Sequence, residues 1–278
     1  MIGFVRDTQG LGFVEAIEWL AGRSGITPEY EEGAPGEDAR RWRRERLLAL
    51  LDDAASFYER YLWESQAGSF ARDYLAGRGL HEPICREFRL GLALGGTTLT
   101  RKALGRGYSA EELRAAGLAR ARGADYFERR LVFPLADARG RVLGFQARRL
   151  HDDDPLLAKY VNTAESELFT KGAIVYGLDK ARTAIARENR ACIVEGNPDV
   201  IALRQAGFEP VVACMGTALT EQHVRELGRL TKRVWLAFDG DAAGTAATLR
   251  GMQLAADQGF DVKVVVLPTG VDPADDPA

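Results

Sequence analysis

The last third of the chain alternates between short apolar runs and longer segments in which apolar residues recur every three or four positions. Short β-branched runs are typical of buried strands, and the longer segments are typical of amphipathic helices. The pattern predicts strands at 191–194, 211–214, 234–238 and 262–267, with helices at 199–206, after Thr220 and at 242–258. Strands alternating with helices form parallel βαβ units, whose ligands bind at the carboxyl ends of the strands.

Helical spacing dominates the first two thirds of the chain. It predicts helices at 13–21, from Asp38 to about Glu64, and at 69–78, and residues 27–39 have the composition of a linker. Ser109 and Glu112 have the spacing of a capping box, which indicates a helix start. Two β-rich runs, 129–135 and 140–149, bracket a turn and predict a hairpin.

Acidic residues follow the predicted strands of the last third. Glu195, Asp239, Asp241 and Asp272 each stand at such a strand end. Carboxylates brought together repel one another unless a proton or cation intervenes, and oxygen ligands without His or Cys suit Mg²⁺ or Mn²⁺. The alternative for any one of these acids is a helix cap or a solvated loop. As a set they favour a metal site for phosphoryl transfer.

Charge is unevenly distributed along the 278 residues, although the net charge is only −3. Residues 101–150 contain twelve Lys and Arg against five Asp and Glu, whereas residues 191–278 contain seven against twelve. A basic half beside an acidic half suits a polyphosphate binder with a metal site, and a solvated charged surface is the alternative.

Cysteine and histidine positions do not indicate zinc. Cys85, Cys192 and Cys214 are far apart and mostly in apolar runs, which predicts reduced core thiols, and the three histidines are equally scattered. We expect surface or capping roles for the histidines. The sequence contains no apolar run of membrane-spanning length and no signal-peptide pattern at its start, so we expect a cytoplasmic protein that does not contact membranes.

Three acidic motifs carry a resemblance to a known family. They read Val194-Glu195-Gly196-x-x-Asp199, then Asp239-Gly240-Asp241-x-Ala243-Gly244, then Gly270-x-Asp272-Pro273. Together they resemble the Toprim domain, which bacterial replicative primases, type IA and type II topoisomerases and some nucleases share. The run Gly216-Thr217-Ala218-Leu219-Thr220, with His223, is most similar to the replicative primases.

A second block resembles the basic subdomain of the same primases. It comprises the predicted hairpin, then Lys159-Tyr160-Val161-Asn162-Thr163, then Leu168 to Gly172. The resemblance implies a groove for template and incoming nucleotide, with the basic residues of 129–171 along the single strand. Its expected lining is Arg148, Lys159, Tyr160, Asn162 and Lys171. Arg and Lys pair with phosphates, while Tyr and Asn can stack on or bond to bases.

The chain departs from the family pattern at three places. Glu87 stands where Arg is usual, so Arg86 or Arg89 is the candidate for that phosphate contact. Asn197 stands where an aromatic residue usually follows Glu-Gly, and Ala274 stands where a second acid usually follows Asp272-Pro273. Asp275 or Asp276 is then the candidate replacement.

The resemblance implies a mixed α/β and α+β fold. We expect a Toprim domain with a parallel βαβ sheet flanked by helices at 179–278, preceded by a mixed α+β basic subdomain at 40–178. Residues 1–39 would be a segment and linker that follow a missing zinc-binding domain. We also expect the closing helical region and the helicase-binding domain to be missing, so the chain resembles a shortened core.

The resemblance implies a DNA-templated RNA polymerase that makes short RNA primers by nucleotidyl transfer. Its partners would be single-stranded DNA, ribonucleoside triphosphates and, through missing domains, the replicative helicase and single-strand-binding protein. Glu195, Asp239 and Asp241 would be catalytic, with Glu195 as general base or positioning group. Two or more Mg²⁺ or Mn²⁺ ions, and no zinc, would be held by Glu195, Asp199, Asp239, Asp241, Asp272 and Asp275.

Two other functions are compatible with these motifs. A Toprim-type nuclease would cleave single strands, and a non-catalytic module would bind single strands or a replication partner whatever the divalent ion. A topoisomerase would need a nucleophilic tyrosine in a separate domain, for which the chain has no room.

Overall fold

The computed structural model describes residues 19–23, 37–215, 219–238 and 242–265, with only the backbone described for 242–249. The chain divides into two compact units, 1–43 and 44–278. Residues 19–23 are helical, in agreement with the end of the first predicted helix, whereas residues 13–18 lie outside the described part. The predicted linker also lies outside it except for residues 37–39, which are already helical.

Long α1 (Glu37–Glu64) confirms the second predicted helix. Its buried side chains recur at helical spacing from Leu47 to Leu62 and include Phe57 and Tyr58, so this stripe is core, as expected. Arg72 on the following helix donates to the Leu62 carbonyl at 2.6 Å and closes the turn. The elements that follow are a 3₁₀ turn (Gln66–Gly68), α2 (Ser69–Gly77) and α3 (Glu82–Glu87).

An antiparallel sheet occupies the middle of the chain, in the order β1-β2-β3-β4. Its strands are β1 (Gly91–Ala93), β2 (Arg130–Ala136), β3 (Val142–Arg149) and β4 (Tyr160–Asn162). The predicted hairpin is confirmed as β2–β3. Asp137 closes its turn, because the carboxylate accepts hydrogen bonds from the Arg139 and Arg141 amides at 2.9 and 3.0 Å, and Gly140 has φ +81°.

Two short helices, α4 (Thr98–Gly105) and α5 (Ala110–Ala115), connect β1 to β2. The Ser109–Glu112 capping box is present at the start of α5. Buried Asp125 accepts hydrogen bonds from the Leu99 and Thr100 amides, both at 2.9 Å, and so satisfies the free N–H groups at the start of α4.

A parallel sheet in the order β6-β5-β7-β8 follows, and it confirms the four predicted strands and the Toprim-like architecture. Its strands are β5 (Ala191–Val194), β6 (Val211–Ala213), β7 (Arg233–Ala237) and β8 (Asp261–Val264). The helices around it are α6 (Leu178–Glu188), α7 (Asn197–Gln205), α8 (Glu221–Leu227) and α9 (Ala242–Asp257).

One hydrophobic core joins the two sheets. Leu131 and Phe133 of β2 belong to the same buried cluster as Val194 of β5 and Val200 of α7. The backbones of Tyr176 and Ala213 exchange two hydrogen bonds, of 2.9 and 3.1 Å, at the outer edge of β6. One face of the antiparallel sheet is thereby held toward the carboxyl end of β5.

Candidate active site

A cavity of about 400 Å³ lies between the antiparallel sheet and the carboxyl end of β5. Tyr74 and Arg78 line it near α2, together with several apolar residues. The polar and basic part of the lining comprises Gln146, Arg148, Lys159, Tyr160, Asn162 and Lys171. The part at the start of α7 comprises Glu195, Gly196, Asn197, Pro198 and Asp199. All five residues expected to bind template or nucleotide therefore line one cavity with two of the expected acids.

Strand alternation explains the basic wall. Gln146 lies opposite Asn162, and Arg148 lies opposite Tyr160, in the register of β3 and β4. Residues two apart on a strand point to the same face, so these four side chains leave the sheet on its cavity side. Leu131 and Phe133 continue that face on β2 and form the floor of the cavity.

Arg148 lies close to two aromatic rings. Its guanidinium carbon lies 4.7 Å from the ring centre of Tyr74 and 5.7 Å from that of Tyr160. The arginine Nε is buried and has no hydrogen-bond partner among the described residues. These cation–π contacts hold a positive charge on the cavity wall, where it can pair with an anion.

Tyr160 is a neutral phenol in this setting. Burial raises the pKa of Tyr160 to about 12, while the nearby Arg148 cation opposes that rise. The Lys159 ammonium lies 5.9 Å from the Tyr160 ring centre, and Lys159 itself is exposed just before β4. Lys171 approaches from another direction, at the start of the 3₁₀ turn Lys171–Ala173, where its amide donates to Glu165 at 3.0 Å.

Two described carboxylates, Glu195 and Asp199, form the acidic part of the lining. Glu195 comes directly after β5, and it is half-buried. Asp199 is buried, and its Oδ2 accepts a hydrogen bond from the Gly196 amide at 2.9 Å. Asp199 thus caps the start of α7 and also faces the cavity.

Three side-chain amides link the basic wall to α7. Asn197 Nδ2 donates to Gln146 Oε1 at 3.0 Å, and Gln146 Nε2 donates to Asn162 Oδ1 at 3.0 Å. Asn197 is completely buried, and Gln146 is 5 % exposed. Sequence reasoning did not assign a role to Gln146, although its position two residues before Arg148 on a predicted strand would have placed it on the same face.

The remaining predicted acids, Asp239, Asp241, Asp272, Asp275 and Asp276, lie outside the described residues, as do Gly216, Thr217 and Ala218. Within the described ranges, no group of three or more His, Cys, Asp and Glu side chains could hold a metal ion. The donor chemistry that the cavity does offer is carboxylate oxygen, which fits a hard divalent cation.

One basic residue expected on the groove lies instead in the protein interior. Arg130 is 2 % exposed and its Nε lies 2.8 Å from Asp154 Oδ2, while its other nitrogens donate to the Leu156 and Ala158 carbonyls at 2.7 and 3.0 Å. Burial opposes ionisation of Asp154, but Arg130 and the Leu156 amide hold its pKa below the usual value. Arg130 therefore stabilises the 154–158 loop, which leads into Lys159, and does not track a template.

Neither candidate for the phosphate contact near Glu87 lines the cavity. Arg86 pairs with Glu82 at 2.7 Å, and Arg89 pairs with Asp52 at 2.6 Å. Glu87 itself pairs with Arg204 of α7 at 2.7 Å. In this chain the acid at position 87 thus serves an ion pair between α3 and α7, while both neighbouring arginines hold structural pairs.

The cysteine and histidine predictions agree with the structure. All three cysteines are buried thiols, and burial raises the pKa of Cys85 to about 12. His223 caps α8 together with Thr220, each accepting a hydrogen bond from the other's backbone amide.

Among the helices that the structure describes, none combines the length and apolar character needed to cross a membrane.

Comparison with known proteins places these features in one family. A family model for the DNA primase catalytic core, N-terminal domain, matches residues 57–182, and one for the Toprim domain matches residues 189–266. The DNA primase of Mycobacterium tuberculosis (strain H37Rv) is 41 % identical over an aligned length of 287 residues. The alignment covers 98 % of this chain and 44 % of that protein. The chain therefore spans less than half the length of this curated relative.

Solved structures agree over most of the polymerase domain. The RNA polymerase domain of M. tuberculosis primase DnaG matches with a TM-score of 0.79 and 40 % identity, covering 84 % of this chain and 78 % of that one. A DnaG primase catalytic domain bound to single-stranded DNA matches with a TM-score of 0.74 and 36 % identity, covering 84 % and 74 %. The chain belongs to the bacterial replicative DNA primases and contains the primase core and Toprim domains of that family.

Proposed function

We propose that this chain is the catalytic core of a DNA-directed RNA polymerase that makes short RNA primers on single-stranded DNA. The observation that carries the proposal is the cavity in which Arg148, Tyr160 and Asn162 face the end of β5 with its Glu195. A cationic and aromatic wall opposite a carboxylate is the arrangement that a nucleotide requires, since its base stacks, its phosphates pair with cations and its metal needs acids. The related catalytic domain bound to single-stranded DNA supports the choice of template.

In this proposal the basic wall binds and orients the polyanions. The Arg148 guanidinium and the Lys159 and Lys171 ammonium groups contact phosphates, while the Tyr160 phenol and the Asn162 amide contact a base or sugar. Glu195 accepts the proton of the primer 3′-hydroxyl or positions that oxygen. These roles follow from side-chain chemistry and from the shared cavity.

Mg²⁺ or Mn²⁺ would be held by Glu195 and Asp199 together with Asp239, Asp241, Asp272 and Asp275. When bound, such ions neutralise the triphosphate and stabilise the leaving pyrophosphate. The parallel pairing of β5 with β7, in which Val194 lies opposite Ala237, puts the carboxyl ends of these two strands at the same sheet edge and supports a shared site there. We expect the enzyme to act in the cytoplasm on chromosomal DNA, with the replicative helicase and single-strand-binding protein as partners of the whole protein.

The direct test is ribonucleotide incorporation on a single-stranded template with Mn²⁺. We expect Asp239→Ala with Asp241→Ala to abolish incorporation, and the matched pair Asp257→Ala with Asp261→Ala, at two exposed positions, to retain it. Full activity of the first double variant would exclude the mechanism. Shortened template strands in place of extended RNA products would indicate a nuclease.

Binding provides a second measurement that does not depend on turnover. The affinity for a labelled single strand, measured by fluorescence anisotropy, should fall about tenfold for Arg148→Ala. A loss of this size is expected when one cation–π and phosphate contact is removed. Arg101→Ala, at an exposed position on α4, should bind as the unmodified chain does. Equal affinities for all three proteins would place the strand elsewhere.

A further inference from the structure

We infer that Gln146 and Asn197 are positioning residues, which fix the distance between the basic wall and the Glu195 turn through the three linked amides. The inference rests on the proposed function, since it assigns a role within the same site. Asn197 stands where the family resemblance led us to expect an aromatic residue. Its side chain is fully buried and donates to a residue 51 positions earlier in the chain.

The linkage connects the two sheets through side chains alone. Gln146 belongs to β3 and Asn197 to the first turn of α7, so the hydrogen bond between them joins the antiparallel sheet to the segment that follows β5. Gln146 uses both ends of its amide, because its oxygen accepts from Asn197 and its nitrogen donates to Asn162. Movement of α7 away from β3 would break a buried hydrogen bond that water cannot readily replace.

The positions at both ends of the linkage explain why it matters for chemistry. Asn162 lies on β4 two residues after Tyr160, and Gln146 lies on β3 two residues before Arg148. One end of the linkage therefore lies on the same strand faces as Tyr160 and Arg148. The other end is two residues after Glu195. Groups that bind nucleotide and the carboxylate that acts on it are therefore held at a fixed separation.

The backbone between Glu195 and α7 is tied down at a second point. Asp199 Oδ2 accepts a hydrogen bond from the Gly196 amide at 2.9 Å and so closes the turn from Glu195 to Asp199. Asn197, in the middle of this turn, anchors it to Gln146 of β3. Without the Asn197 anchor the turn would keep its shape but lose its fixed position relative to β3. This distinguishes a positioning role from a contribution to folding.

The test is a double-mutant cycle with Gln146→Met and Asn197→Leu, which keep side-chain volume and remove the amides. We expect each single variant and the double variant to lower kcat for primer synthesis by about tenfold, with little change in the KM for ribonucleotides, because all three break one linkage and displace the same groups. The double variant leaves one amide without its partner, Asn162, whereas Gln146→Met alone leaves two, Asn197 and Asn162, so the double variant guards against misfolding of that single variant.

Gln205→Met provides a matched control on the same helix. Gln205 also makes two hydrogen bonds to another segment, accepting from the His81 amide and donating to the Gly79 carbonyl, both at 2.8 Å, but it does not line the cavity. We expect it to lower thermal stability while leaving the kcat of the folded protein unchanged. Cycle variants that behave like this control would overturn the inference.

Hydrogen exchange separates this inference from the proposed function. Amides of the 195–200 turn should exchange faster in all three cycle variants, to a similar degree, and remain protected in Gln205→Met. Unchanged exchange, or effects that simply add in the double variant, would refute the linkage. If the unmodified chain makes no primer, the proposed function fails, whereas the exchange data still decide whether the linkage fixes the turn.

Discussion

Arg148 and Tyr160 lie directly opposite each other on β3 and β4, with the guanidinium carbon 5.7 Å from the ring centre. The same carbon lies 4.7 Å from the ring centre of Tyr74. A guanidinium at this place offers a planar fork of N–H donors, which an ammonium group does not. It therefore offers a conservative substitution that separates charge from geometry.

Arg148→Lys keeps the positive charge but replaces the planar fork of guanidinium N–H donors with an ammonium group. We expect affinity for single-stranded DNA or ribonucleotides to fall by about tenfold, because an ammonium group cannot donate the two parallel hydrogen bonds to a phosphate that a guanidinium can. Titration of a labelled strand at fixed ionic strength measures the change. Arg101→Lys should leave the affinity unaltered, and an Arg148→Lys protein of full affinity would show that charge alone suffices.

The parallel sheet was predictable from the sequence, whereas half of the antiparallel sheet was not. Strand β5 is buried along its whole length and β7 at three of its five residues, so both appear as apolar runs. Strands β1 and β4 have three residues each and, unlike the equally short β6, contain no run of β-branched apolar residues. The contribution of Tyr160 and Asn162 to the site was expected from the family resemblance and not from strand patterning.

The expectation that the basic residues of 129–171 follow the template was wrong at Arg130, and it did not indicate Gln146. Arginine is rarely buried without a partner, and the partner of Arg130 is 24 residues away, in a loop whose path no local pattern specifies. Gln146 carries no charge and belongs to no acidic motif, so its pairing with Asn197 emerges only once the two sheets are packed together. Long-range pairing of this kind is what the sequence does not reveal.

Asp154→Asn tests the buried ion pair. The substitution keeps the shape of the side chain but leaves the Arg130 cation buried with only carbonyl partners, so we expect the free energy of unfolding to fall by about 3 kcal/mol. Urea denaturation followed by circular dichroism measures it. Asp153→Asn is the neighbouring control, because Asp153 pairs with Arg129 in solvent and its loss should leave stability unchanged within error. Equal effects of the two substitutions would contradict the assignment.

His223 should make stability depend on pH. Burial lowers the pKa of His223 from 6.5 to about 4, while a contact with the Ile174 carbonyl opposes that shift. Between pH 6.5 and 4 the unfolded chain binds a proton on this imidazole and the folded chain does not. The contribution to stability is therefore complete above pH 6.5 and is lost as the pH falls toward 4.

His223→Gln isolates that contribution, because glutamine at this position can still accept the Thr220 amide as a capping-box residue. We expect the variant to lose less stability than the unmodified chain between pH 6.5 and 4, as measured by urea denaturation across that range. Parallel pH profiles for the two proteins would show that the imidazole does not titrate on unfolding.

Gly91 and Gly77 predict opposite responses to the same substitution. A Cβ added at Gly91 would lie 2.5 Å from Tyr58 Cβ and 2.6 Å from the Tyr58 carbonyl carbon, where α1 packs on β1, whereas one at Gly77 in α2 would meet no atom within 4 Å. Gly91→Ala should therefore cost about 2 kcal/mol by overpacking, since backbone atoms cannot rotate away. Gly77→Ala should gain ~0.5–1 kcal/mol, because it restricts the unfolded chain at a helical position. Urea midpoints of the two variants should thus move in opposite directions from that of the unmodified chain, and a Gly91→Ala midpoint at or above the Gly77→Ala value would disprove the close approach of α1 and β1.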